Sequence, residues 1–193
     1  MPGREIVGDE RNPVVQARKI YDWVLGYVEY WVKDPQNLKA SPNGESEYCL
    51  TSKTGNCTDF HSLYTSLTRS IGIPTRMVYG SFFQGENTPV PNKASLEGKD
   101  TDASYHCWIQ FFAKGIGWVP LDVALADLLP EAQQASYFGM LEPRRVTWSY
   151  GRDLTLAPAQ AGPPVNAMHK VYMEIDGQPF TGWDRKFTYR NAP

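Results

Sequence analysis

The amino-acid sequence predicts an α+β domain, with helices first and an antiparallel sheet after them. Two stripes of apolar residues at helical spacing fill the first third of the chain, and short β-favouring segments follow. Ala113-Lys114-Gly115 and Asp176-Gly177 punctuate those segments as turns. No repeat, low-complexity segment or linker divides the sequence, so residues 1–193 read as one domain, or as a piece of a longer chain.

Asn12-Pro13 is a helix start, with Asn as the cap and Pro at the first helical position. Val14, Ala17, Tyr21, Val24, Val28 and Trp31 then make one apolar stripe, which predicts a helix of roughly five turns ending before Asp34-Pro35. Residues 35–47 are polar, with a turn at Pro42-Asn43-Gly44. A second helix follows Gly55-Asn56; Phe60, Leu63, Tyr64, Leu67 and Ile71 form its buried stripe and Gly72 its stop. Ile73-Pro74 restarts the chain in extended form, and residues 75–83 read as a strand. Residues 84–103 read as a functional lid or a disordered segment. Strands are expected over 104–112 and 116–122, then an irregular stretch over 123–140 with a short helix from Pro130. Further strands are expected over 144–149, 168–175 and 183–189.

The 41% hydrophobic content is ample for a packed core. A net charge of −2 without a Lys/Arg run disfavours nucleic acid and anionic membrane surfaces as partners. No apolar run is long enough to span a bilayer. The N-terminus lacks the pattern of a secretory signal, so a cytoplasmic protein is expected if Met1 is the natural start. An exported or periplasmic one is expected if the chain is part of something longer. Three cysteines, Cys49, Cys57 and Cys107, are neither a disulfide framework nor a C-x-x-C zinc site, so at least one thiol is free.

Cys57 falls in the first turn of the second helix, where unpaired N–H groups and the positive end of the dipole favour thiolate. Gly55 would let a substrate backbone approach, and the Cys57 N–H points where an oxyanion would form. Alone, Gly-x-Cys at a helix start reads as a buried cysteine. The hairpin downstream changes that reading. A three-residue loop with Gly115 in its last, left-handed position pairs Phe112 with Ile116 and sets His106 directly opposite Asp122. An imidazole and a carboxylate so placed can hydrogen-bond, which fixes the tautomer and stabilises imidazolium. A four-residue loop, Lys114 to Gly117, would break that pairing. Cys107 points to the opposite face from His106 and reads as core.

Four segments resemble the transglutaminase-like superfamily. They are Gly55-Asn56-Cys57-Thr58-Asp59-Phe60, Arg69 through Arg76, His106-Cys107-Trp108 and Gly117-Trp118-Val119-Pro120-Leu121-Asp122. The likeness spans residues 13 to about 125. It implies a papain-like fold, with Cys57 as nucleophile, His106 as general base and acid, and Asp122 as the orienting carboxylate. The strand-rich part over 126–193 matches no motif. The superfamily's second oxyanion donor is an aromatic or amide side chain upstream of the cysteine, for which Tyr48, Trp31 and Tyr30 are candidates. The Arg-Gly-Gly-x-Cys pattern of arylamine acetyltransferases and an acidic calcium loop are both missing, so no cofactor and no metal are expected.

Around the triad, Arg76 reads as a possible contact for a substrate carboxylate or as a solvated strand residue. Trp108, Trp118 and Tyr105 read as cleft wall or as core. His61 shares a helix face with Cys57 and reads as packing, Asp59 as support for the helix N-terminus, and His169 as a surface residue. The expected activity is acyl transfer from amide bonds of peptides or proteins through a thioester on Cys57, with water as acceptor in a cysteine protease or amidase. The rivals are a protein-glutamine transglutaminase, a non-catalytic protein-binding module, and a zinc site built from Cys57, His61, His106 and Asp122.

Overall fold

A computed structural model describes residues 2–82, 105–143, 145–168 and 171–183. The expected lid, the last expected strand and His169 lie outside those residues, apart from Trp183 at the edge of that strand. The chain forms two compact units, one of residues 1–78 and 107–142, the other of residues 79–106 and 143–193.

The first unit opens with α1 (Pro2–Val7) and α2 (Pro13–Tyr27). Asn12 caps α2 as expected, its side chain accepting from the Val14 N–H at 2.9 Å. The helix is shorter than its apolar stripe suggests. Gly26 weakens the last turn, and Val28 turns extended (φ −115°) to lead into β1 (Glu29–Tyr30). Trp31–Lys33 follow as a 3-10 turn, and the polar stretch after it conceals a helix, α3 (Ser46–Ser52). Next comes β2 (Thr54–Gly55), parallel to β1 with Glu29 opposite Thr54 and Tyr30 opposite Gly55. The second expected helix is α4 (Cys57–Ser70), and Gly72 stops it at φ +90°.

Tyr21, Val24, Phe60, Leu63 and Tyr64 from α2 and α4 are buried at 2% exposure or less. The two helices are also tied by the Tyr64 hydroxyl, which donates to the Ala17 carbonyl at 3.1 Å. Against α4 lies one face of the central strand of a hairpin, β4 (Tyr105–Ala113) and β5 (Gly117–Leu121). Cys107, Ile109, Phe111 and Ala113 are buried on that face, following the two-residue period of a strand. After β5 the stretch expected to be irregular holds α5 (Val123–Ala126), α6 (Glu131–Gln134) and a 3-10 turn over Ala135–Tyr137.

The hairpin register differs from the expectation by two residues. Phe112 pairs with Trp118 rather than Ile116, and Ala113 with Gly117, leaving Lys114-Gly115-Ile116 as the loop. Both glycines have positive φ, +87° at Gly115 and +101° at Gly117, and Ile116 N–H bonds the Ala113 carbonyl at 3.0 Å. The turn thus uses Gly115 at its centre and Gly117 at its exit, and the three-residue loop lies one residue further along the chain than expected. A slip of two preserves which face each residue occupies. His106 is therefore not directly opposite Asp122; in this register that place on β4 belongs to Trp108.

β3 (Thr75–Phe82) and β4 each run through both units, in a sheet of order β5-β4-β3-β6. In the second unit β6 (Arg145–Tyr150) is an edge strand, with the Trp148 indole N–H donating to the Ser81 hydroxyl at 2.9 Å. Tyr79 and Tyr105 stack at 6.5 Å between centroids. Among the described residues of the strand expected over 168–175, Glu174–Ile175 form β7, paired with β8 (Gln178–Pro179) across the expected Asp176-Gly177 turn. Both turn residues adopt positive φ, the geometry that a two-residue hairpin demands.

Candidate active site

The position of Cys57 begins with a turn. Asn56 caps α4 by accepting from the Thr58 and Asp59 N–H groups at 2.9 and 3.1 Å, and Asp59 Oδ2 accepts the Asn56 N–H at 2.9 Å. This reciprocal box makes Cys57 the first residue of the helix, where its N–H has no partner within the helix. Asp59 does more than support the dipole. Fully buried, it also accepts from the Ser41 N–H (3.1 Å), the Glu45 N–H (2.8 Å) and the Ser41 hydroxyl, so it ties residues 41–45 to the start of α4. Gly55 is buried, and a Cβ there would come within 2.4 Å of Asp59 Cβ. The close approach that Gly55 permits in this structure is that of Asp59.

Cys57 is 6% exposed. Among the three upstream aromatics, the structure brings Tyr30 to it. Pairing with Gly55 sets Tyr30 beside the α4 N-terminus, and Asp127 holds it there, accepting the Tyr30 N–H at 2.9 Å while bridged to Lys33 Nζ at 2.9 Å. The Tyr30 hydroxyl lies against the Cys57 N–H and thiol. Burial first, then the Cys57 and Cys107 sulfurs, push the phenol well above its ordinary value; the Cys57 N–H pulls the other way. Tyr30 thus stays a protonated donor. Tyr48 lies half-buried on α3, and Trp31 is half-buried in the 3-10 turn.

Cys107 is fully buried, as expected for core, yet its surroundings are polar. Its sulfur is 3.2 Å from His61 Nδ1 and 3.7 Å from Thr58 Oγ1, and the Cys57 thiol lies beside it. Burial first, then the Cys57 sulfur, raises the Cys107 thiol well above the usual range, so it stays protonated at neutral pH. Cys49, buried on α3, is raised too, by burial and then by the Asp59 charge. Sequence reasoning underrated His61. It is fully buried, and beyond Cys107 it reaches Asp122 Oδ1 with Nε2 at 3.4 Å. The available signal was its position four residues after Cys57, on the same helix face.

Asp122 sits just past β5 as the cap of α5, fully buried, with Oδ1 accepting the Leu125 N–H at 2.9 Å and its own N–H donating to the Tyr137 carbonyl at 3.0 Å. His106 is half-buried on β4, next to Cys107, where the strand passes from the second unit into the first. Arg76 and Trp118 meet on the sheet face away from α4: the guanidinium lies 4.0 Å from the indole centroid and donates to Gln110 Oε1 at 2.8 Å. Trp118 is 40% exposed there, whereas Trp108 is buried. Among the described residues no group of three or more His, Cys, Asp or Glu is arranged to hold a metal ion, so the zinc reading gains no support.

A cysteine leading a capped helix against an antiparallel hairpin is the arrangement that the sequence motifs implied, and the superfamily's core matches residues 3–123. The chain belongs to the transglutaminase-like superfamily. A chain from Cytophaga hutchinsonii, described as a candidate cysteine protease, shares the fold with a TM-score of 0.53 and 20% identity. The alignment covers 78% of this chain and 40% of that one. An uncharacterised Haemophilus influenzae protein is 28% identical over 94% of this chain and 54% of its own length. The uncharacterised Bacillus subtilis protein YebA is 29% identical over 46% of this chain and 12% of its own. The present chain thus spans about half, or much less, of the length of these relatives. Among the described residues no helix is long and apolar enough to cross a membrane.

Proposed function

We propose that the chain catalyses acyl transfer from amide bonds of peptides or proteins, with hydrolysis as the outcome: a cysteine protease or amidase. The observation that carries this is the meeting of thiol, N–H and phenol at the start of α4, where the Tyr30 hydroxyl sits against the Cys57 N–H and sulfur. In this reading His106 takes the Cys57 proton, and the sulfur attacks the amide carbonyl. The developing oxyanion displaces the Tyr30 hydroxyl from the Cys57 N–H and is then held by both donors. Collapse breaks the C–N bond, His106 returns the proton to the leaving amine, and a thioester remains on Cys57. Water, deprotonated by His106, resolves it. Asp122 orients and charges the imidazole as a buried carboxylate. Superfamily membership and the likeness to a candidate cysteine protease support this assignment.

The test is mass spectrometry of the protein with a peptide library, with and without an added primary amine. Peptides cleaved or deamidated irrespective of the amine support hydrolysis. Products carrying the amine replace that reading with transamidation. No product in either arm, with Cys57 intact and reduced, leaves a protein-binding module.

A further inference from the structure

Cys107 and His61 take no part in acyl transfer as proposed, yet they are buried, polar and adjoin the nucleophile. Cys57 and His61 are four residues apart on α4, and Thr58 and His61 three, so the three side chains bound one patch of the helix surface. A sulfur touching both Thr58 Oγ1 and His61 Nδ1 lies over that patch, within reach of Cys57. On its other side His61 Nε2 lies 3.4 Å from Asp122 Oδ1, a contact without hydrogen-bond geometry whose negative charge favours a proton on Nε2; in that tautomer Nδ1 accepts the Cys107 S–H. Cys107 is thus a buried thiol with its own base, aimed at the nucleophilic cysteine.

We propose that Cys107 is a resolving thiol: after a hydroperoxide oxidises Cys57, Cys107 closes a Cys57–Cys107 disulfide with His61 as base. The inference rests on the reading of Cys57 as a thiolate nucleophile. In the first step Cys57 sulfur attacks the peroxide, an S–O bond forms and the O–O bond breaks. An alcohol or water leaves with a solvent proton, and Cys57 becomes a sulfenic acid. In the second, His61 Nδ1 takes the Cys107 proton and the thiolate attacks Cys57 sulfur. An S–S bond forms, the S–O bond breaks, and the departing hydroxide leaves as water with the proton from His61. Two thiols are oxidised by two electrons, and one peroxide is reduced. Cys107 reacts second because burial keeps it protonated until an electrophilic sulfur is next to it. The disulfide spares Cys57 from the irreversible sulfinic acid and stops acyl transfer until a thiol reductant restores it.

The experiment treats the full chain with hydrogen peroxide, digests without reduction and maps cysteines by mass spectrometry, with iodoacetamide labelling of untreated protein alongside. Wild type should yield a Cys57–Cys107 cross-linked peptide lost on reduction, and so should Cys49→Ala. Cys107→Ser should yield Cys57 sulfinic acid that reductant does not reverse. His61→Gln, checked for native circular dichroism, should close the disulfide more slowly while forming sulfenic acid at the wild-type rate. Sulfinic acid on Cys57 of wild type, to the extent seen in Cys107→Ser, overturns the inference; rapid alkylation of Cys57 in the untreated protein leaves the proposed function standing. Cys57 neither oxidised nor alkylated would overturn both.

Discussion

The turn that presents Cys57 depends on one buried carboxylate, and replacing Asp59 gives a sharp prediction. Asp59 accepts through both oxygens: Oδ1 from the Ser41 hydroxyl and the Glu45 N–H, Oδ2 from the Ser41 and Asn56 N–H groups. In Asp59→Ala the Glu45 N–H keeps a second acceptor, the Ser41 hydroxyl oxygen at 3.0 Å, and the Ser41 hydroxyl can rotate. The Ser41 and Asn56 N–H groups lose the acceptor they have. At about 1–3 kcal/mol for each buried donor left unpaired, the cost centres near 4 kcal/mol. A chain of this size loses about 2–4 °C in Tm per kcal/mol, so the expected fall is about 8–16 °C. Asp59→Asn should fare little better. Whichever way its amide turns, an NH2 group meets two donors, so an isosteric side chain cannot repair the site. Thermal and urea unfolding followed by circular dichroism measure both variants. A fall of less than about 4 °C for Ala, or a near-native Asn variant, would refute the two-sided acceptor argument.

Tyr30→Phe keeps the ring against Phe60 (5.7 Å between centroids) and removes only the hydroxyl. Release of p-nitrophenolate from an activated acyl ester should fall by about a hundredfold while Cys57 is still alkylated by iodoacetamide; unchanged turnover would remove Tyr30 from the oxyanion site. Iodoacetamide should modify Cys57 before Cys49 and Cys107 near neutral pH, because both of the others are held protonated by burial, and more slowly in His106→Ala. Equal rates at all three thiols would contradict the assignment of the nucleophile. Alkali should destabilise the fold. Cys49, Cys107, Tyr21 and Tyr64 all have folded values raised above their unfolded ones, so the folded state binds more protons. Their contribution is whole below about pH 8.5 for the thiols and about 10 for the phenols, and declines as pH rises beyond. Urea midpoints that stay flat from pH 8 to 10.5 would contradict this.

What the sequence made legible was mostly local. The start of α4 after Gly55-Asn56, its apolar stripe from Phe60 to Leu67 and the stop at Gly72 all act within one helix, and each lies where it was expected. The hairpin was visible but not its register, because Gly115 and Gly117 could each serve the turn and two steps preserve the alternation that pattern reasoning reads. Asp122 offered two local readings, strand partner or turn residue, and the structure uses it as the cap of α5. The rest depended on distant partners. His61 meets Cys107 and Asp122, which lie 46 and 61 positions away, and no local pattern signals such a bridge. α3 was hidden because the polar run before it looks like loop, and its single fully buried residue, Cys49, leaves no stripe to read.

The two-residue pairing of β1 with β2 has a consequence for how the site comes into being. Helix α4 takes its cap from neighbouring residues, so the helical position of the cysteine is specified largely by local interactions. Tyr30 arrives only when the stretch of about 25 residues from Tyr30 to Gly55 closes on itself. That closure carries an entropy cost, and two paired residues and the Asp127 clasp do little to offset it until the core is packed. On the proposed mechanism, chemistry at this centre is tied to completion of the fold: a partly folded chain exposes a helix with a thiol, and only the finished one brings Tyr30 to the negative charge.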